Sequence, residues 1–318
     1  MHDLLFVADP LEVFKTYKDT TFSMMREAQR RGHRIVACEP RDISWRSGEL
    51  VHAQVREIVL TGSQDAWFRE ERSGTRALAD FAAVIMRKDP PFDSEYFYAT
   101  HLLEQAEREG ARVFNKPAAL RDHPEKLAIL EFSQYVSPTL VTRNPEEVRR
   151  FHEEHGEIIL KPLDGMGGMG IFRVGADGLN LGSIIETLNH HGATTIMVQR
   201  FVPEIAQGDK RVLVIGGKVV PYCLARIPQG SEIRGNLAAG GKGVAQPISA
   251  RDREIAEALG PVLHARGLLL IGLDVIGDYL TEINVTSPTC FQEIAQQSGF
   301  DVPGMFIDAL QEALKKDE

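Results

Sequence analysis

The chain has 318 residues, 43% of them hydrophobic and 25% charged, with a formal net charge of −9. That length suits about two domains with proper cores, and the acidic balance argues against a nucleic-acid partner, because binding phosphate backbones calls for a basic surface. No run approaches the roughly 20 apolar residues of a membrane span and the opening MHDLLFVADP lacks the pattern of a signal peptide, while Cys38, Cys223 and Cys290 are too few and scattered for a disulfide framework or a zinc site, so a cytoplasmic protein with ordinary thiols and no membrane partner is expected.

The front of the chain alternates strand and helix signals, which suggests βαβ units. LLFVAD reads as a strand, residues 20–31 as a helix stopped by Gly32, and HRIVACE as a second strand. Further strands are expected over residues 51–60 and 83–87. They are followed by a helix over residues 93–109, with Tyr96, Ala99, Leu103 and Ala106 at helical spacing. RVFN closes this part as another strand. Asp9-Pro10 stand where a dinucleotide fold would carry glycines, which argues against NAD. Around residues 116–125 the chain turns prolyl and polar, a domain boundary signal. Asn144 as cap, Pro145 and Glu147 then open a helix that Gly156 ends, and EIILKP follows as a strand.

Residues 164–170 read DGMGGMG, so Gly165, Gly167 and Gly170 match G-x-G-x-x-G. A strand precedes this loop and the β-like IFRV follows it, so it is expected to be a flap between strands. Such a flap can lay backbone N–H groups over phosphates, with Lys161 reaching them from the preceding strand. A flexible surface hairpin fits the same pattern. No G-x-x-x-x-G-K-[ST] occurs, which removes the P-loop class. After a strand over residues 196–202, residues 210–215 and 218–227 form a hairpin around Gly216-Gly217. A regular two-residue loop places Arg211 and Arg226 on one face, offset by four residues and about 13 Å apart, suited to two anionic groups or to a solvated sheet face. Residues 227–243, IPQGSEIRGNLAAGGKG, carry five glycines with Arg234 and Asn236 in mid-loop. A loop of that length reads as a lid. Ser249 with Asp252 opens a capped helix closed by Gly267.

The stretch from 272 to 289, GLDVIGDYLTEINVTSPT, spaces oxygen ligands for a hard cation. Glu282 and Asn284 leave one face of a strand. Asp274 lies on the preceding strand, and a strict two-residue turn at Gly277-Asp278 would set it on the opposite face. Convergence of the three requires an odd or bulged connection, which Gly277 makes accessible. An acidic exposed hairpin is the alternative.

Taken together, Lys161 with DGMGGMG, DKRVLV, CLARIPQG, RGNLAAGG, GLDVIG and LTEINVTSPT resemble the ATP-grasp superfamily and, within it, the bacterial glutathione synthetase family; MRKDPPFD and NKPAALRD in the front half also fit. The resemblance implies an α/β (α+β) ATP-grasp fold: a Rossmann-like N-terminal domain over residues 1–122, a small lid subdomain over 123–202 and a C-terminal subdomain over 203–318. It also implies ATP as co-substrate, with γ-glutamylcysteine and glycine as the other small-molecule substrates, Mg²⁺ as the cofactor in two ions or Mn²⁺ in its place, and a homotetramer. By position, Lys126, Lys161, Gly165, Gly167, Gly168, Gly170, Gln199, Arg200, Phe201, Val202 and Asp209 match ATP-binding residues. Lys161, Arg211 and Arg226 match catalytic ones. Arg226, Arg234, Asn236, Ser287, Pro288 and Thr289 match the peptide site, and Asp274, Glu282 and Asn284 the metal group. Two other readings share the grasp: a ligase adding glutamate to a peptide, and a non-catalytic ATP-binding regulator.

Overall fold

The computed structural model describes residues 1–63 and 66–316. Its first sheet has strands β1 (Asp3–Val7), β2 (Arg34–Cys38), β3 (Ile43–Ser44), β4 (His52–Leu60), β5 (Phe68–Ala77), β6 (Ala83–Met86) and β7 (Val113–Phe114). The order is β3-β4-β2-β1-β6-β7, with β5 pairing β4 at the edge. β1 runs parallel to β2 and β6, and β6 parallel to β7. These central strands are nearly continuous apolar runs because helices cover them; helix α1 (Thr20–Arg30) follows β1 and α2 (Ser94–Arg108) follows β6. Each begins at an aspartate, Asp19 accepting from the Phe22 N–H at 2.7 Å and Asp93 from the Tyr96 N–H at 2.9 Å, which satisfies an orphan donor of the first turn. The polar stretch after β7 holds a short helix, α3 (Pro117–Asp122), with Pro117, Ala119 and Leu120 buried.

The second sheet, in order β10-β9-β11-β8, contains β8 (Thr139–Thr142), β9 (Ile158–Pro162), β10 (Phe172–Val174) and β11 (Ile196–Arg200). Helices α4 (Pro145–His155) and α5 (Leu181–Asn189) pack on it. Asn144 caps α4 by accepting from the Glu146 N–H, and Gly156 ends it at φ +71°. Val148, Ile158, Leu160, Ile185, Ile196 and Val198 give this sheet a core of its own. β9 and β10 are antiparallel neighbours, so the glycine loop is the connection of a hairpin.

The third sheet, order β14-β13-β12-β15-β16, comprises β12 (Asp209–Ile215), β13 (Lys218–Ile227), β14 (Lys242–Pro247), β15 (Leu270–Ile276) and β16 (Tyr279–Asn284). Helix α6 (Ala250–Ala265) starts in a Ser249–Asp252 capping box, and α7 (Phe291–Ser298) and α8 (Val302–Lys316) finish the chain. Two registers differ from the regular expectation. Ile215 faces Lys218 across the two-residue Gly216-Gly217 loop, but a bulge follows, and Val212 faces Cys223. Pro221 lies in that bulge, where its missing N–H removes no ladder bond. Arg211 therefore faces Leu224 and Arg226 faces Asp209, an offset of two residues, about 7 Å at roughly 3.3 Å per residue, in place of four residues and about 13 Å. In the last hairpin the Gly277-Asp278 turn is itself a regular two-residue loop, with Ile276 facing Tyr279. The extra residue is Thr281, so the bulge sits in β16 and not at Gly277, and Asp274 comes to face Glu282. β14 begins at Lys242, with Lys242 facing Ile227 and Gly243 facing Arg226, so the irregular loop spans only 228–241.

The first and third sheets share their cores: one joins Leu5, Val36 and Val84 to Val212, Ile271 and Ile283, and the other joins Phe6, Ile35 and Ile85 to Leu213, Phe291 and Phe306. Among the described residues no helix is long and apolar enough to cross a membrane. Buried Asn115, just past β7, clasps the two sheets. Its Nδ2 donates to Leu270 O and Val285 O, both at 2.8 Å, and its Oδ1 accepts from the Leu270 N–H at 3.0 Å. Asn115→Ala leaves these backbone groups buried and unpaired, so it is expected to destabilise the protein by about 2–4 kcal/mol in chemical unfolding. A change under about 0.5 kcal/mol would show that the clasp does not hold the sheets together.

Candidate active site

The second and third sheets enclose a cavity of about 310 Å³, walled also by the loop after β6. Of the residues singled out in the sequence, all line it except Gly170 and Pro288. Gly170 lies at the root of the glycine loop against Pro162. The Pro288 carbonyl accepts from Arg87 Nη2 at 3.0 Å, while Ser287 and Thr289 on either side face the cavity.

Directly facing residues of an antiparallel ladder share a face. Arg211 faces Asp274 and Asp274 faces Glu282, which sets a row of charges across three strands. Asp274, only 2% exposed, takes both arginines: Arg211 through Nε and, at 3.1 Å, Nη2, and Arg226 through Nη2 at 2.8 Å. Gly272 makes room for this, because a Cβ there would lie 2.8 Å from Arg211 Cδ. Arg226 also pairs with Asp209, whose other oxygen is buried without a partner among the described residues. Burial pushes Asp209 up to about 6 although Arg226 opposes it. Burial alone would raise Asp274 too, but the charges of Arg211 and Arg226 prevail and hold it below the usual carboxylate range.

Lys126 and Lys161 are both buried. Lys126 Nζ lies 3.0 Å from Glu282 Oε1 and also donates to the Gly165 carbonyl, tying the glycine loop to β16. Lys161 Nζ donates to the carbonyl of Thr281 at 3.3 Å, the residue that the bulge pushes out. Burial pushes the Lys161 ammonium down, against the pull of Glu282. Asp274, Glu282 and Asn284 stand on one face of the last hairpin, and Asn284 spends its Nδ2 on the Gly272 carbonyl at 3.1 Å, keeping its side-chain oxygen for another partner. Two carboxylates and an amide oxygen are the donor types of a hard divalent cation, which would share Asp274 with the arginines and Glu282 with Lys126. Gln199, Arg200, Phe201 and Val202 form the neighbouring wall. Gln199 Nε2 donates to Thr139 Oγ1, Arg200 to the Tyr279 hydroxyl, and the Arg173 guanidinium lies 3.9 Å from the Phe201 ring centre.

The two glycine-rich loops meet over the cavity. Arg234 Nη1 donates to the Gly168 carbonyl at 3.2 Å. Gly168 has φ +85°, and a Cβ on it would lie 2.6 Å from Asn236 Oδ1, so only glycine lets the loops approach this closely. Two acidic wall residues escaped the sequence reading. Glu125 is half-buried and accepts from the N–H groups of Val285 and Thr286 and from the Thr286 hydroxyl; desolvation, and then the charge of Glu282, raise it. Asp89 follows the end of β6, where the strand order turns back around β1, a position that topology would have flagged.

The chain matches two family models, "Prokaryotic glutathione synthetase, N-terminal domain" over residues 2–121 and "Prokaryotic glutathione synthetase, ATP-grasp domain" over residues 125–299. It is 60% identical to a glutathione synthetase of Ralstonia nicotianae over 98% of this chain and 96% of that one. Identity is 58% to a Neisseria meningitidis serogroup B protein of the same name, over 98% of both chains. Among solved structures, D-cycloserine synthetase DcsG superposes with a TM-score of 0.69 at 16% identity, covering 98% of this chain and 99% of that one. ATP-grasp ligase PsnB, complexed with a minimal precursor, gives 0.62 at 22%, covering 97% and 98%. At those identities the two structures speak for the fold.

The shared carboxylate generates a measurable dependence. Asp274→Asn removes the charge that two buried guanidinium groups hold in common, a change expected to destabilise the ligand-free protein by about 3 kcal/mol at pH 7. A depressed carboxyl contributes stability above its ordinary value of 3.8, and that contribution is lost as pH falls through and below it. Unfolding curves of the two proteins should therefore converge as pH falls below about 4. Equal stability at pH 7 would show that Asp274 does not anchor the arginines.

Proposed function

The chain belongs to the prokaryotic glutathione synthetase family, and from that premise we propose that this cavity joins γ-glutamylcysteine to glycine with ATP as phosphoryl donor. It is an ATP-dependent ligase of the ATP-grasp fold. The observation that carries the division of labour is one cluster: two arginines, two lysines and three oxygen ligands on the walls of a single cavity.

In this reading the nucleotide lies between the second and third sheets. Gln199 to Val202 border the base, Asp209 completes the ATP pocket, and the glycine loop covers the phosphates with Lys126 and Lys161 beside them. Gly170 and Pro288 act by shaping their loops. Asp274, Glu282 and Asn284 would hold Mg²⁺, in two ions or with Mn²⁺ in its place, and the cation would supply positive charge against that of the phosphates. Phosphoryl transfer is mainly positioning and charge stabilisation, so no protein nucleophile is needed.

Arg211 and Arg226 are placed to grip the cysteinyl carboxylate and the phosphoryl group passing to it. The carboxylate oxygen attacks the γ-phosphorus, ADP leaves, and an acyl phosphate forms. The glycine amine then attacks the acyl carbon and phosphate departs with the oxygen it received. The acyl phosphate hydrolyses readily, and the 228–241 loop, locked to the glycine loop through Arg234, Asn236 and Gly168, supports water exclusion during its lifetime. Ser287 and Thr289 line the peptide end.

ADP release is expected to require both γ-glutamylcysteine and glycine, and a panel of dipeptides and amines should rank that pair first. Arg211→Ala is expected to lower turnover on the order of 10²–10³-fold with substrates saturating, as for loss of one transition-state contact. Near-normal turnover in that variant would remove Arg211 from the transfer step.

A further inference from the structure

Reading the cavity as a γ-glutamylcysteine site leaves both charges of the glutamyl end without a partner; its α-carboxylate suits the cationic wall but its α-ammonium does not, and the inference below rests on that reading. The dipeptide carries an α-ammonium at its glutamyl end. The cavity wall holds six cationic side chains, Lys126, Lys161, Arg200, Arg211, Arg226 and Arg234. An ammonium entering that field needs a local anion.

Five carboxylates line the cavity: Asp89, Glu125, Asp209, Asp274 and Glu282. Three are ion-paired, Asp274 and Asp209 with the arginines and Glu282 with Lys126. Glu125 is half-buried, and its Oε1 takes two backbone N–H groups and a hydroxyl. Asp89 differs in being exposed. Its Oδ1 accepts from Ser287 Oγ, and none of the ion pairs among the described residues includes its carboxylate. The neighbouring cations make their contacts away from this carboxylate: Lys88 pairs with Asp9 and donates to the Asp89 backbone carbonyl, both at 2.9 Å, and buried Arg87, on which the charge of Asp89 acts without a hydrogen bond between them, donates to Thr21 Oγ1 and the Pro288 carbonyl.

The fold fixes this carboxylate at a place suited to a ligand. Asp89 follows β6 and Asp9 follows β1, and the Asp89 N–H donates to Asp9 Oδ2 at 2.9 Å. These two strand ends flank the crevice where the order of the parallel strands reverses, which is where open α/β sheets bind ligands. Through Ser287 the same carboxylate is joined to the segment lining the peptide end of the cavity.

We propose that Asp89 receives the α-ammonium of the γ-glutamyl group and thereby makes the enzyme select a glutamyl over a glutaryl donor. Ser287 holds one carboxylate oxygen and leaves the other for the substrate.

The test uses the full chain with ATP, Mg²⁺ and glycine, and compares γ-glutamylcysteine with N-glutarylcysteine, which keeps the terminal carboxylate and lacks only the α-amino group. The unsubstituted enzyme should prefer γ-glutamylcysteine by about 10–100-fold in kcat/KM, the scale of one charge-assisted hydrogen bond. Asp89→Asn should raise KM for γ-glutamylcysteine by a similar factor, leave KM for ATP unchanged and bring the two donors within about threefold of each other. Asp89→Glu, which restores the charge, should recover part of the preference. Retention of the full preference in Asp89→Asn overturns the assignment. So does an unsubstituted enzyme that uses both donors equally well, whatever the variants do. An unsubstituted enzyme inert toward γ-glutamylcysteine overturns the functional reading beneath it, and the assignment with it.

Discussion

A carboxylate with almost no exposure holds two guanidinium groups at the floor of the cavity, and the surrounding sheet is arranged to make that burial tolerable. Charges are removed from water only when they are paired and hydrogen-bonded. Asp274 meets that condition through Arg211 and Arg226, and Arg226 extends it to Asp209. Two bulges bring these side chains onto one face: the one containing Pro221 shortens the distance between the arginines, and the one at Thr281 turns Asp274 toward Glu282. Gly272 gives Arg211 space to lie flat. The result is a fixed row in which two guanidinium groups are offset by Asp274 and Asp209, a preorganised set of donors facing the cavity.

Around this rigid floor the roof is built differently. The second sheet has a separate small core, whereas the first and third share theirs. On its other face Met197, with Val141 and Leu163, joins the core beneath, while across the cavity its links to the floor are polar: Lys126 to Gly165, Lys161 to Thr281 and Arg200 to Tyr279. Polar links of that sort exchange readily for ligand oxygens, so the architecture suits a grip that opens and closes over a nucleotide. The contact of Gly168 with Arg234 and Asn236 joins the glycine loop to the 228–241 loop, so that ordering one loop helps to order the other.

The parts of the fold legible in the sequence are those where local chemistry and burial agree. Apolar runs marked β1, β2 and β6, Asn144 and Gly156 bounded α4, and the Ser249–Asp252 box opened α6. β5 was not legible because FREERSGTRA is charged and mostly exposed, so its pairing with β4 leaves no apolar alternation to read. α5, α7, α8 and β14 went unread as well; Lys242–Pro247 pairs as a strand although glycine and proline stand at its ends. Register was the other gap. A turn dipeptide fixes the first pair of a hairpin, but a bulge further along depends on what both faces must contact; nothing at Thr281 announces that demand, whereas Pro221, a proline inside a strand pattern, was a bulge signal that went unread. For the cavity, charged residues flanked by glycines could be found. Asp89 and Glu125 could not, because their significance comes from the strand ends and loops that fold beside them.

The central claim is that the arginine-lined cavity transfers the γ-phosphoryl group of ATP to the cysteinyl carboxylate before the peptide bond forms. γ-Glutamylcysteine carrying ¹⁸O at both oxygens of that carboxylate tests it most directly. With ATP, Mg²⁺ and glycine, the account predicts one ¹⁸O atom in each phosphate released. Unlabelled phosphate alongside newly formed glutathione would contradict it.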